Sequence, residues 1–288
     1  MDMSPPSASP ARQVDASSPL HPGSDAFRSW AGVLVLLMVL AMPVACYRAM
    51  AAGHHALAWI GAMALLVAVA ALVGRGTLGL WRGVLIDERN LMSLSRFQLL
   101  LWSVLILSGF LAATLYNVFI GSDDPLAVAI PTELWMLMGV STTSMVGSPL
   151  LLGQKAQKDT VAAHVEQVKQ QVVADGGDRR DVVAQGQLMT NARPQQAQWT
   201  DMFTGEEAGN WFHVDMAQLQ MFFFTLAIAM AYASVLCQLL VTPPAGGLHQ
   251  LPPIDASAVA LLSISHAGFL ANKAVPRLGA ASTDQIAA

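Results

Sequence analysis

Six stretches of the chain, residues 29–47, 56–74, 97–120, 134–153, 216–241 and 256–272, contain no Asp, Glu, Lys or Arg. Blocks of this kind match the roughly 20 apolar residues that a helix needs to cross the hydrocarbon core of a bilayer. In that medium each backbone amide and carbonyl must be satisfied within the structure, and a helix does so within one segment. Charged residues make up 12 % of the chain, against about 25 % in ordinary soluble domains, and they are crowded into the intervening segments. A compact soluble globule, a nucleic-acid-binding domain and a disordered chain are poor fits to such segregation. The expected fold class is all-α: a polytopic membrane helical bundle with six predicted transmembrane helices, its principal partner the lipid bilayer.

The block at 29–47 follows a Ser/Pro-rich tail and precedes no small-residue cleavage site, so it reads as a retained span rather than a cleavable leader. Pro43 is tolerated within it when neighbouring groups satisfy the freed carbonyl. The block at 56–74 is almost pure Ala, Leu, Val and Met and serves packing or lipid contact.

Basic residues near span ends resist translocation, whereas acidic ones matter little. Arg12 and Arg28 precede the first span; Arg75, Arg82, Arg89 and Arg96 follow the second. Lys155, Lys158, Lys169, Arg179, Arg180 and Arg193 follow the fourth, and Lys273 and Arg277 follow the sixth. Only Arg48 falls in the other set of loops. Six spans with both termini in the cytoplasm satisfy this pattern, in a bacterial inner membrane. The organisation is then a disordered cytoplasmic tail (1–28), spans 1 and 2 (29–74), spans 3 and 4 (97–153), a cytoplasmic insertion (154–215), spans 5 and 6 (216–272) and a second cytoplasmic tail (273–288).

Spans 3 and 4 resemble spans 5 and 6 when the chain is slid by about 122 to 124 residues. Gln98 falls over Gln220 and Ser141 over Ser265, each within a similar apolar frame. The last four helices are therefore read as a parallel tandem repeat of helix pairs, related by an axis along the membrane normal. The two glutamines, one turn into their spans, are candidates for a polar bond between the repeats. Pro131 with Glu133, and Pro252 and Pro253 with Asp255, read as helix starts: proline needs no amide partner in the first turn, and a carboxylate there faces the positive helix end.

Small residues recur within spans 4 and 6: Gly139, Thr143 and Gly147 in one, Ser263, Ala267 and Ala271 in the other. Such spacing lets membrane helices approach closely. Beside it runs a polar stripe of Ser141, Ser144 and Ser148 against Ser265, Gly268 and Asn272, with His266 adjacent. Hydroxyls on such a stripe either glue helices together or line a hydrated path. His266 is the one ionisable side chain, thiols and phenols aside, inside a predicted span, where such groups are costly. A neutral, hydrogen-bonded imidazole is the simpler reading.

Within the insertion, Val161, Val165, Val168 and Val172 form a short heptad-like stripe on a predicted amphipathic helix that Gly176 and Gly177 end. The Gln-rich connector 185–198, with Pro194, reads as a loop. Thr204 to Glu207 has capping-box spacing, and Trp199, Phe203, Trp211 and Phe212 suit an interfacial helix entering span 5. The valine stripe with Trp199 and Trp211 is the candidate partner-docking surface.

Phosphate-cradling Gly-Lys-Ser/Thr loops, His-Glu-x-x-His helices and Gly-x-Ser-x-Gly elbows do not occur, so no enzymatic activity and no cofactor is expected. Cys46 and Cys237 read as ordinary buried thiols. His213, Asp215, Glu206 and Glu207 lie close in sequence without a metal-ligand framework. Two functions from different classes remain. The leading expectation is a homo-oligomeric channel or pore-forming subunit lined by the polar stripes. The alternative is a non-conducting membrane anchor or scaffold that docks a soluble cytoplasmic protein.

Overall fold

The computed structural model describes residues 25–275; the tails expected at 1–28 and 273–288 lie largely outside the described residues. Seven α-helices dominate the described residues, and a single two-stranded hairpin qualifies the all-α expectation. Helices α1 (Asp25–Ala51) and α2 (His55–Leu78) form an antiparallel pair; α3 (Leu94–Ile120) and α4 (Thr132–Ala156) form a second. The insertion supplies α5 (Ala162–Ala174) and the hairpin β1 (Val182–Gln185) and β2 (Leu188–Asn191); α6 (Met216–Val241) and α7 (Ala256–Ala274) complete the chain.

Each uncharged block became a helix; α6 coincides with its block, and the other five overrun theirs by a few residues, taking in Arg48, Arg75, Arg96, Glu133, Lys155 and Lys273 at the ends. Helix starts follow the proline and acid chemistry: Pro131 is the N-cap of α4, and the Asp255 carboxylate accepts from the Ser257 amide at 2.8 Å to cap α7. Pro43 is accommodated inside a continuous α1. Five helices, α1 to α4 and α6, are long and apolar enough to cross a membrane. They mark the chain as a multi-pass membrane protein, while α7, with 19 residues, is not among the five.

The hairpins α3/α4 and α6/α7 lie side by side, with α3 against α6 and α4 against α7. The α1/α2 pair covers the flank formed by α3 and α6. Close approach is built in at Gly109, where a Cβ would lie 2.7 Å from a Leu236 methyl. Trp59, Trp102, Leu105, Leu134, Leu137, Leu236 and Leu262 fill the shared interior. Lipid tails are as apolar as these side chains, so the association rests on packing and interhelical hydrogen bonds rather than on exclusion of water. One such bond runs from Trp59 Nε1 to Ser108 Oγ at 3.0 Å.

At the far end, Asn117 clasps the α3–α4 and α6–α7 loops. It is fully buried, donates to the Leu248 carbonyl at 2.8 Å and accepts from the Leu248 amide at 2.7 Å. The Ala129 amide donates to the His249 carbonyl, and the Leu251 amide to that of Ala129, a short parallel bridge between the loops.

The insertion folds on itself. Val168, Val182 and Met189 form its core, with Val165, Val172 and Trp211 packed around them. The valine stripe and Trp211 are therefore largely spent on the insertion's own hairpin rather than held out for a partner; Val161 and Trp199 remain exposed. Part of the Gln-rich connector is strand β2, all four residues of which are buried. The hairpin turns at Gly186, whose φ of +57° is left-handed and whose Cβ would meet the Ala156 carbonyl at 2.3 Å, so the turn abuts the end of α4. No helix spans 204–215: Phe203 stacks edge-on to Phe222 at 5.1 Å, and the Asp215 carboxylate caps α6 directly.

Candidate functional site: a charged neck between helices and insertion

The loop joining α2 to α3 reaches the insertion through a tight turn. The Asp87 carboxylate accepts from the Arg89 and Leu91 amides, both at 3.0 Å, and Asn90 takes the left-handed conformation that short polar residues tolerate. The Asn90 carboxamide donates to the Asn191 carbonyl at 2.8 Å, and Asn191 returns the bond to the Asn90 carbonyl at 2.9 Å. This stitching fixes the Arg89 guanidinium beneath the bundle.

There Arg89 meets Asp87 at 2.7 Å and Glu206 at 2.9 Å, and Glu206 also takes Lys273 from the end of α7. Its neighbour Glu207 pairs with Lys155 from the end of α4 at 2.7 Å, with both side chains almost wholly buried. Lys155 donates further to the Val275 carbonyl at 2.8 Å, and Asn272 donates to Asp215 at 2.7 Å. Two adjacent glutamates thus bind cations from two hairpins and the α2–α3 loop. Burial works to raise the Glu206 carboxyl, but Arg89 and Lys273 outweigh it and hold it at about 2. The Thr204–Glu207 segment serves as this charged clasp and not as a capping box.

A cavity of about 390 Å³ opens beside the clasp. The first turn of α3, the second half of α4 and the end of α7 wall it, with Asp201 and Glu206 contributed by the insertion. Pro149 interrupts α4 at this level and leaves the Met145 carbonyl without its helical donor; both residues line the space. Asp201 accepts from the Met92 and Gln198 amides at 3.2 and 2.8 Å, yet burial pushes its carboxyl up to about 6.

The polar stripe of α4 and α7 lies inside the molecule. Ser141, Ser144, Ser148, Ser265 and His266 are all buried, and the Ser144 hydroxyl meets His266 Nδ1 at 2.6 Å. His266 is thus paired with Ser144, and Asn272 belongs to the charged neck. Most of the small-residue stripe does not face the neighbouring helices of this chain. Gly139, Thr143, Ala267 and Ala271 are exposed on the outer surface; Gly147, in contact with Leu270, and Ser263 are half-buried. Hydroxyls, rather than the small residues, face the α4–α7 contact.

Gln98 and Gln220 do not meet. Gln220 is exposed, whereas buried Gln98 donates to Thr225 Oγ1 at 2.7 Å and to the Met221 carbonyl at 3.3 Å, so the α3–α6 bond is real but its partner is one turn further on. The buried glutamine of α6 is Gln218, which donates to the Thr204 carbonyl at 3.1 Å. Lys155 and Lys273 escaped the sequence reading as site residues because they served there as topology signals. Their signal was present: each ends the second helix of a hairpin, and two adjacent acids lie in the insertion. No cluster of His, Cys, Asp and Glu able to hold a metal ion occurs among the described residues. No protein-family model matches the chain, and neither a curated protein nor a solved structure matches it.

Proposed function

We propose that the protein is a non-conducting membrane anchor that holds its folded insertion rigidly over one end of the bundle and presents it to a soluble partner. The observation that carries this reading is the buried clasp of Glu206 and Glu207 with Arg89, Lys155 and Lys273. A flexible tether needs no such network; a scaffold that fixes the orientation of a docking surface does. Val161, Val173, Val183 and Trp199 are exposed apolar residues of the insertion available for that contact. The bias of basic residues supports a cytoplasmic location for the insertion and both termini, which makes α7 a sixth, shorter span in a bacterial inner membrane. The side-by-side hairpins are compatible with a tandem repeat, although like helices face each other as in stacked units rather than around a central axis. The exposed Gly139 and Ala267 surfaces suit contact with further copies in a homo-oligomer.

The channel reading retains one specific support. The buried oxygens of Gln98, Ser141 and Ser265 have no hydrogen-bond partner, and Ser148, Ser144 and Ser141 ascend α4 from the cavity at one-turn steps. Water entering this column would satisfy them. Two measurements separate the readings. A photo-crosslinking side chain at position 199 in the intact membrane protein is expected to capture a soluble protein, while the same group at lipid-facing Ile264 captures none. Ion flux in liposomes above the empty-vesicle rate, abolished by Ser144→Leu, overturns the anchor in favour of the channel.

A further inference from the structure

We infer that a second cavity, within the insertion, seats a guanidinium group. It lies between the end of α5, the β hairpin and the segment 196–212. Its volume of about 530 Å³ falls inside the range of ligand pockets, roughly 300 to 1,000 Å³.

The wall is rich in acceptors and lacks a cation. Asp175, Asp181 and Asp201 all line it, and among the described residues no Lys or Arg does. Arg193 approaches Asp181 only to 3.6 Å, from a side chain that is 65 % exposed, and an exposed pair of that kind contributes little. Arg82 acts on Asp201 only through space and donates instead to the Gln195 carbonyl at 3.3 Å. Otherwise the three carboxylates meet neutral donors: the Gln171 carboxamide on Asp175, the Asp178 amide and the Gln196 carboxamide on Asp181, and the Met92 and Gln198 amides on Asp201. Asn191 points to a ligand independently of the acids. It is only 8 % exposed and lines the same cavity; Nδ2 is spent on the Asn90 carbonyl, and Oδ1 accepts no hydrogen bond within the protein. An acceptor so far buried is costly unless something donates to it. The acids do not come together closely enough to hold a metal ion. A guanidinium suits them better: it is planar, permanently charged, and carries five N–H donors in a fixed fork that matches carboxylates. Trp211 and Phe212 also line the space, and a guanidinium stacks on aromatic faces.

The site belongs to the insertion alone and holds whether the chain anchors or conducts. Full-length protein in nonionic detergent is titrated with methylguanidine, with methylamine, with a capped Gly-Arg-Gly peptide and with the same peptide carrying citrulline, the neutral isostere of arginine. Isothermal titration calorimetry is expected to show one site per chain for the two guanidinium probes and much weaker binding of the other two. Tighter binding of the peptide identifies an arginine side chain of a protein as the source; equal or tighter binding of methylguanidine identifies a free guanidine compound. Asp201→Asn and Asp175→Asn each remove a charge but keep an acceptor, and each is expected to weaken binding about tenfold. Glu166→Gln, an acid of the insertion outside the cavity wall, leaves it unchanged. Circular dichroism reports that the variants remain folded. No saturable binding of either guanidinium probe, equal binding of methylamine or of the citrulline peptide, displacement of the bound probe by equimolar calcium, or unchanged binding in both folded variants overturns the proposal.

Discussion

Replacing Glu207 by Gln severs the ion pair with Lys155 while nearly preserving the shape of the side chain. Nζ lies 2.7 Å from Oε1, and only 4 % and 6 % of the two side chains are exposed, so neither charge is hydrated by bulk water. Two unit charges at that distance attract by about 6 kcal/mol at an effective dielectric of 20, and the desolvation of both ions cancels much of it. The quantity that matters is the cost of stranding the ammonium, about 3–5 kcal/mol when one partner of a buried pair is removed. The Val275 carbonyl at 2.8 Å continues to accept, as does the new carboxamide oxygen, which sets the expected loss at about 3 kcal/mol. Lys155→Met combined with Glu207→Leu removes the stranded charge as well and is expected to return stability to within about 1 kcal/mol of the parent. A double-mutant cycle of Lys155→Met, Glu207→Leu and the two combined, followed by denaturant unfolding in detergent, measures the coupling. Limited trypsin digestion reads release of the insertion, with faster cutting after Lys158 and Arg180 in the single variants alone. If each single variant loses less than about 0.5 kcal/mol and the double equals their sum, the pair does not clasp the insertion and the anchor loses its principal support.

Two further outcomes follow from the same structure. The Asp201 carboxyl, raised from its ordinary 3.8 to about 6, favours the protonated form in the folded state, so its contribution is fully present below pH 4 and is lost as pH rises to about 6. The loss is up to about 3 kcal/mol; Asp201→Asn, which still accepts from Met92 and Gln198, is expected to flatten the stability profile over that window, and an unchanged slope refutes the assignment. Asn117→Ala strands the Leu248 amide and carbonyl at the opposite end; unfolding measurements are expected to show a loss of about 2–4 kcal/mol, and a loss below about 1 kcal/mol shows that water replaces the side chain.

Much of the helical framework was legible in the order of residues. The six uncharged blocks each became a helix, and the caps at Pro131 and Asp255 lie where proline and carboxylate place them. The insertion was read less well: its valine stripe was found, but not that strands β1 and β2 would cover it. The polar stripe of α4 and α7 was found too, but not that it, rather than the neighbouring Gly139 and Ala267, would face the contact between these two helices. Helices apolar on every side carry no strong asymmetry to say which stripe turns inward. Interior and exterior then differ by packing shape alone, which appears only when the partner helix is in place.

What the residue order determined was therefore the set of segments that form long uncharged helices, five of them long and apolar enough to cross a membrane, since charge is excluded from hydrocarbon and backbone satisfaction there demands a helix. Tertiary structure alone decided the rest. It chose Thr225 rather than Gln220 as the partner of Gln98, placed His266 on Ser144, and brought Lys155, Lys273 and Arg89 to two adjacent glutamates more than 50 residues from each. Each of these is a pairing between distant segments, and its energy depends on burial and distance, which no local pattern encodes.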